Sequence, residues 1–193
     1  MSDSELTLLV RPGGRLRGRI RVPGDKSISH RAVILGALAD GVSEISGFLE
    51  GEDSLATLRA LRAMGVRIEG PEQANVMIHG VGVDGLQAPR EAINLGNSGT
   101  SMRLLAGLLA AQPFNAVLCG DRSLSRRPMQ RVTRPLSTMG ADIETSAQGT
   151  PPLEIHGSRM LHGIDYELPV ASAQVKSALL LAGLYARGQT CVT

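Results

Sequence analysis

Lys26 and Arg31 stand in "PGDKSISHR", Pro23 to Arg31, ahead of an apolar helical run, "AVILGALA". A helix N-terminus already carries partial positive charge, so bases placed there oppose the backbone. The opposition recurs. In "GNSGTSMRLLAGLLAAQ" Arg103 follows Gly99 by four residues, and in "VASAQVKSALLLAGLYARG" Lys176 follows Ser172 by four, as Arg31 follows Ser27. Bases gathered near free helix N–H groups are suited to hold an anion, and three such ends brought together would form one concave anion site. A fourth cluster, "RSLSRRPMQR", holds Arg122, Arg126, Arg127 and Arg131. The guanidinium fork of arginine matches carboxylate and phosphate, so this cluster extends the same chemistry. "GDKS" lacks the G-x-x-x-x-G-K-[ST] spacing of a nucleotide loop, and no nucleotide site follows from it.

A repeated unit is what must position these bases. Arg31, Arg103 and Lys176 are 72 and 73 residues apart. "LRALRAMGVRIEG" and "VTRPLSTMGADIE" both end a helix at Met-Gly and enter a strand, with Gly65 and Gly140 as the stops. Ile-His-Gly then recurs at 78–80 and 155–157, so three landmarks keep one order and nearly one period. The pattern predicts an α/β fold of repeated β-α-β-α-β-β units about a pseudo-threefold axis, the units covering about 22–90, 91–163 and 164–193. Asp53 is expected to cap the second helix of the first unit, and Pro128 to take the first position of its counterpart, where Pro135 implies a bend or a late start. The third unit is expected to be unfinished at Thr193, leaving an apolar face on a helix over 172–186.

Composition narrows the classes. The chain has 193 residues, 42% of them hydrophobic, with a net charge of +2 and only four aromatics, Phe48, Phe114, Tyr166 and Tyr185. So few aromatics and so little excess charge argue against a nucleic-acid partner, although Arg15, Arg17, Arg19 and Arg21 alternate along one strand face. No apolar run reaches the roughly 18 residues of a membrane span, and "MSDSELTLLV" does not read as a secretory signal. Cys119 and Cys191 make no disulfide framework and are expected to be inert core residues in a reduced, cytoplasmic setting. Asp25 and Asp121 read as loop or capping residues. His30 reads as a packing or hydrogen-bonding residue, and His79 and His156 as matched structural positions. No metal site and no cofactor is expected.

"PGDKSISHRA", "LGNSGTSMRLL", "GDRSLSRRPMQRV" and "PVASAQVKSALLLAGL" resemble the signature segments of the 5-enolpyruvylshikimate-3-phosphate (EPSP) synthase family, over about Gly13 to Thr193. The related UDP-N-acetylglucosamine enolpyruvyl transferases share that family's fold but not "GDKSISHR". The resemblance implies an enolpyruvyl transferase-like fold, an inside-out α/β barrel, in two domains of three units each. It makes residues 1–21 strands that pair with a second domain and 22–193 the N-terminal substrate-binding domain.

The implied reaction transfers the enolpyruvyl group of phosphoenolpyruvate to shikimate 3-phosphate and releases phosphate, in the shikimate pathway to chorismate and the aromatic amino acids. By motif, Lys26, Ser27, Arg31, Ser172 and Gln174 would bind shikimate 3-phosphate. Lys26, Gly99, Thr100, Arg127 and Gln174 would bind phosphoenolpyruvate. The family's acid/base groups belong to the second domain, so no catalytic residue is expected in this chain, and a catalytically inactive anion-binding fragment is the alternative reading. The complete enzyme is expected to be a monomer with glyphosate as an inhibitor, to which Gly99 leaves room. Leu104 and Ala173 stand where many members have proline and serine.

Overall fold

A computed structural model describes residues 8–15 and 17–193. The first half runs α1 (Lys26–Leu38), β1 (Asp40–Ser46), α2 (Glu52–Ala63), β2 (Arg67–Glu72) and β3 (Asn75–Val81). It continues with β4 (Ile93–Asn94), α3 (Gly99–Ala110), β5 (Ala116–Cys119), α4 (Gln130–Thr138), β6 (Asp142–Glu144) and β7 (Leu153–His156). The last elements are β8 (Asp165–Tyr166), α5 (Ala173–Gly183) and β9 (Cys191–Val192).

Glycine stops set the two helix-to-strand corners. Gly65 and Gly140 have φ of +89° and +95°, where a side chain would be strained. At the first corner Val66 N–H donates to Leu61 O and Gly65 N–H to Arg62 O, both at 3.1 Å. At the second, Ala141 donates to Leu136 O at 3.0 Å and Gly140 to Ser137 O at 2.9 Å. This paired closure satisfies the last helical carbonyls and turns the chain into β2 and β6.

The strands make two corresponding sheets. β1, β3 and β2 lie in that order and all pair antiparallel. β5, β7 and β6 repeat the order and the sense, and β4 adds to β5 in parallel. β8 pairs parallel with β9, as β4 does with β5, each pair joined through a helix. The two Ile-His-Gly triplets have one structural explanation. His79 Nε2 meets Glu69 Oε1 at 2.8 Å and His156 Nε2 meets Glu144 Oε1 at 3.1 Å, each across neighbouring strands. A Cβ on Gly80 would fall 2.1 Å from Ala39 O, and one on Gly157 would fall 2.2 Å from Gln112 O, so both glycines admit chain that follows an earlier helix, α1 and α3 respectively.

The core centres on α3. Every residue of that helix except Arg103 is buried. A helix this apolar all round must be covered on all sides. α2, α4 and α5 pack against it, with β5 and β7 completing the cover. Burial of Leu105, Leu108 and Leu109 stabilises this arrangement by about 1.5–3 kcal/mol for each side chain. α3 and α5 cross closely at Gly107, where a Cβ would lie 2.1 Å from Ala178 O.

Several local expectations are corrected. The N-cap of α2 is Gly51, not Asp53, which lies inside the first turn. α4 starts at Gln130, two residues after Pro128, and keeps Pro135 inside; the late start places that proline only one turn in. α5 is shorter than 172–186, with Leu180 exposed within it and Leu184 exposed at its C-cap. Cys119 is half-buried and Cys191 exposed on a two-residue edge strand, so the pair is not a core pair. The stretch expected to pair with a second domain is not corrected: residues 8–15 and 17–21 are exposed and carry no strand pairing within this chain, and residues 1–7 and 16 lie outside the described residues. Among the described residues no helix is long and apolar enough to cross a membrane.

Candidate functional site

The start of α1 is held by its own acid. Asp25 caps the helix, its Oδ1 accepting from Ile28 N at 2.7 Å. Ser29 Oγ donates to Asp25 O at 2.8 Å and accepts from Leu49 N at 2.9 Å, which fixes the loop after β1 to this end. Lys26 is the first residue of the helix, exposed, and its ammonium is paired with Asp53 in the first turn of α2. An acid supplied from a second helix thus offsets the unfavourable placement of this base.

The other bases sit further in than the sequence suggests. Arg31 is the sixth residue of α1, Arg103 the fifth of α3 and Lys176 the fourth of α5, whereas the field of a helix end fades within one turn. The Arg31 and Arg103 side chains run back toward the N-terminus, the direction helical geometry gives long residues. Arg31 Nη1 donates to Ser27 O at 2.9 Å and Arg103 Nη1 to Gly99 O at 3.1 Å, each across four residues. Both also meet the first turns of α5. Arg31 donates from Nη2 to Ser177 Oγ at 2.6 Å and to Ala173 O at 3.2 Å, while Arg103 Nη1 donates to Gln174 Oε1 at 2.8 Å.

Gly99, Thr100, Arg127 and Gln174 come together around this contact. Gln174 Nε2 donates to Thr100 Oγ1 at 2.9 Å, so the amide is fixed at both ends. Gly99 is buried, and a Cβ there would lie 2.9 Å from Arg103 Nη1 and 3.0 Å from Arg127 Nη1. Two guanidinium groups therefore flank a surface with no side chain. Arg127 is held by a hydrogen bond to Asn97 Oδ1. Asn97 in turn donates to Asp121 Oδ2 at 2.9 Å, and Asp121 Oδ1 accepts from Leu124 N at 2.7 Å. That backbone donor, followed by Asn97, holds the Asp121 carboxyl below its usual range, so it stays an anchored anion. Asp121 is a capping residue of this turn.

Charge at the cluster is positive. Burial, then the charges of Arg127 and Arg131, push the Arg103 pKa down, which is the electrostatic mark of cations held close together. An anion placed among them relieves that repulsion. Ser172 caps α5, accepting from Val175 N at 3.4 Å, and borders a cleft of about 380 Å³ with Arg131 and Arg134. A larger hollow of about 570 Å³ on the first sheet is lined by Glu44, Glu69 and Glu72, the wrong sign for an anion. Among the described residues no cluster of three or more His, Cys, Asp and Glu could hold a metal ion.

The eight residues singled out from sequence thus fall into linked groups. Gly99, Thr100, Arg127 and Gln174 share one cluster. Arg31 meets the first turn of α5 and also donates to Ser27 O, and Lys26 is joined to α2 through Asp53. Ser172 opens α5 on the side of the arginine-lined cleft. Sequence reasoning missed Asn97 and Ser177 as partners of Arg127 and Arg31, and it took Asp53 for a cap. Asn97 lies within "GNSGTS", but nothing in that string points to an arginine 30 residues away.

Comparison with known proteins gives the same direction. The family profile described as EPSP synthase (3-phosphoshikimate 1-carboxyvinyltransferase) matches residues 10–193. A 3-phosphoshikimate 1-carboxyvinyltransferase of Nitrosococcus oceani is 67% identical over 192 residues, covering 100% of this chain and 43% of that protein. The protein of the same name from Alkalilimnicola ehrlichii is 71% identical over 184 residues, covering 95% of this chain and 41% of its own length. The solved EPSP synthase of Acinetobacter baumannii superposes with a TM-score of 0.89 at 60% identity, over 91% of this chain and 40% of that one. The chain spans less than half the length of the curated relatives it matches. With the profile covering all but its first nine residues and the fold shared at this identity, the chain belongs to the EPSP synthase family.

Proposed function

We propose that this chain contributes the substrate-binding side of a 3-phosphoshikimate 1-carboxyvinyltransferase, which transfers the enolpyruvyl group of phosphoenolpyruvate to shikimate 3-phosphate and releases phosphate. The observation that carries the reading is the side-chain-free surface of Gly99 between Arg103 and Arg127, with Gln174 bonded to both Arg103 and Thr100. Both substrates carry a phosphate and a carboxylate, and such groups call for fixed cations and oriented N–H donors. In this reading Gly99, Thr100, Arg127, Gln174 and Lys26 hold phosphoenolpyruvate. Lys26, Ser27, Arg31, Ser172 and Gln174 hold shikimate 3-phosphate. Preorganised positive charge stabilises what develops as the hydroxyl attacks and phosphate leaves. The proton donor to the methylene carbon is assigned to the part of the relatives that this chain does not match.

The finer architecture belongs to the same proposal. Units 22–90 and 91–163 share strand order β1-β3-β2 and β5-β7-β6, which supports a pseudo-threefold, inside-out α/β barrel arrangement with 164–193 as the start of a third unit. Residues 1–21 would pair with a second domain, and 22–193 form the first. A cytoplasmic monomer inhibited by glyphosate is the corresponding whole protein.

The test is a graft. This chain replaces the matching segment of the Nitrosococcus oceani relative, and phosphate release from phosphoenolpyruvate is measured with shikimate 3-phosphate present. Turnover is expected, and Lys26→Ala or Arg127→Ala should lower kcat/KM by about a hundredfold or more. A folded graft that binds phosphoenolpyruvate but does not turn over, beside an active parent, would favour a non-catalytic anion-binding role.

A further inference from the structure

Beneath the cluster, four fully buried polar side chains on three helices form one hydrogen-bonded group: His30 of α1, Thr57 of α2, and Ser98 and Ser101 at the start of α3. His30 Nδ1 lies 2.7 Å from Thr57 Oγ1, and Thr57 Oγ1 lies 2.7 Å from Ser101 Oγ. Ser101 Oγ is 2.6 Å from Ser98 Oγ and 3.1 Å from Asp53 O. Each of these four contacts needs one hydrogen, and the three hydroxyls own one each. A carbonyl only accepts, so the Ser101 hydrogen goes to Asp53 O. Ser98 and Thr57 must then both donate to Ser101 Oγ. Thr57 is left as an acceptor, and the fourth hydrogen has to come from His30.

We infer that His30 is a positioning residue: as the Nδ1–H tautomer it donates the hydrogen that the three hydroxyls lack, and so fixes the first turn of α3, where Gly99 and Thr100 stand, against α1 and α2. The role of that turn rests on the anion-binding reading above. The hydrogen count does not. Nε2 is buried without a hydrogen-bond partner among the described residues, which suits a bare lone pair better than an N–H, since orphaned buried donors are the rarer case. The same group carries Asp53, the partner of Lys26, through its carbonyl. One imidazole hydrogen therefore ties the backbone under Gly99 to the acid that places Lys26.

Two variants oppose volume to hydrogen bonding. His30→Phe fills the space without a donor. His30→Asn leaves space but can place an amide N–H where Nδ1 was. In the wild-type chain, long-range nitrogen-proton correlation spectra of labelled histidine should show His30 with Nδ1 protonated and Nε2 bare. Amide exchange at Ser101 and Met102, which donate to Ser98 Oγ and Ser98 O, each at 3.2 Å, should quicken by about tenfold in His30→Phe, the loss of one net hydrogen bond, and stay near wild type in His30→Asn. A protonated Nε2 overturns the inference, as does better protection in the Phe variant than in the Asn variant. Phosphoenolpyruvate titrated into all three should bind more weakly to His30→Phe alone. If wild type binds none, the substrate reading falls, while tautomer and amide exchange still decide the role of His30.

Discussion

Gly99 and His30 show two ways in which one residue can matter here. At Gly99 the obstacle to a side chain is two flexible guanidinium ends, 2.9 and 3.0 Å from an added Cβ, not backbone. Gly99→Ala should therefore fold, and should gain up to about 1 kcal/mol of helix propensity at the first position of α3. Arg103 and Arg127 have to swing away, so affinity for phosphoenolpyruvate should fall by about tenfold or more, equivalent to one charged hydrogen bond. Urea midpoints and calorimetric titration would show stability and binding moving in opposite directions; a parallel loss would mean that the site tolerates no local change. His30 makes a pH prediction. Burial first, then the charges of Lys26 and Arg31, lower its pKa from 6.5 to about 4, with Asp53 opposing. Below pH 6.5 the unfolded chain binds this proton and the folded chain does not until about pH 4, so stability should fall with pH across that window. The loss is on the order of 2–3 kcal/mol. His30→Asn, with nothing to titrate, should show a flatter urea midpoint between pH 6.5 and 4.5. Glu69, whose pKa is lowered chiefly by its hydrogen bond to His79, stabilises above its ordinary 4.5 and loses that contribution only as pH falls further, so the two effects separate.

Among elements, the crossing of α3 and α5 decides whether the cluster exists. Gly107 brings the helices close enough for Gln174 to reach Thr100 and Arg103. Gly107→Ala places a methyl group 2.1 Å from the Ala178 carbonyl oxygen, and backbone cannot swing aside as a guanidinium can. Overpacking here should cost about 1–3 kcal/mol in a urea titration and weaken phosphoenolpyruvate binding with it. Unchanged binding would show that the first turn of α5 is placed independently of this contact. Local rules made part of this legible. Gly65 and Gly140 could be read as stops because their conformation is set by the helix end itself. The start of α4 could not be read so well, since Pro128 and Pro135 both mark a helix beginning and no side chain caps the helix at Gln130. Asp53 misled for a related reason. It stands in a position fit for a cap, and only the tertiary approach of α1 makes it the partner of Lys26.

At the scale of the whole molecule, the sequence landmarks correspond to the shared strand orders β1-β3-β2 and β5-β7-β6, because stops, His-Gly corners and bases recur at one period. What it left hidden is how the units meet: Arg31 with Ser177 and Tyr185 with the Val83 carbonyl are contacts across more than 100 residues, which no local pattern specifies. The same scale governs activity. The relatives are more than twice as long as the stretch they share with this chain, and among the described residues the cluster around Gly99 offers cations and amides with no free carboxylic acid or ammonium bonded into it to protonate a carbon. Asp121 is engaged with Asn97 and Leu124, and Asp53 with Lys26. Expressed as residues 1–193, the chain should bind phosphoenolpyruvate yet release no phosphate above background with shikimate 3-phosphate present, since loss of general acid-base groups alone costs about 10²–10⁴-fold in rate. Leu35, Leu180 and Leu184 form an exposed apolar surface beside Arg31, and Leu8, Leu9, Val10 and Ile20 are also exposed, so the expressed chain should self-associate at high concentration. Leu184→Lys should reduce that association in light scattering without altering phosphoenolpyruvate affinity, because Leu184 follows the far end of α5 from Gln174. Turnover within about tenfold of a full-length relative would place the acid/base chemistry inside these 193 residues and overturn its assignment elsewhere.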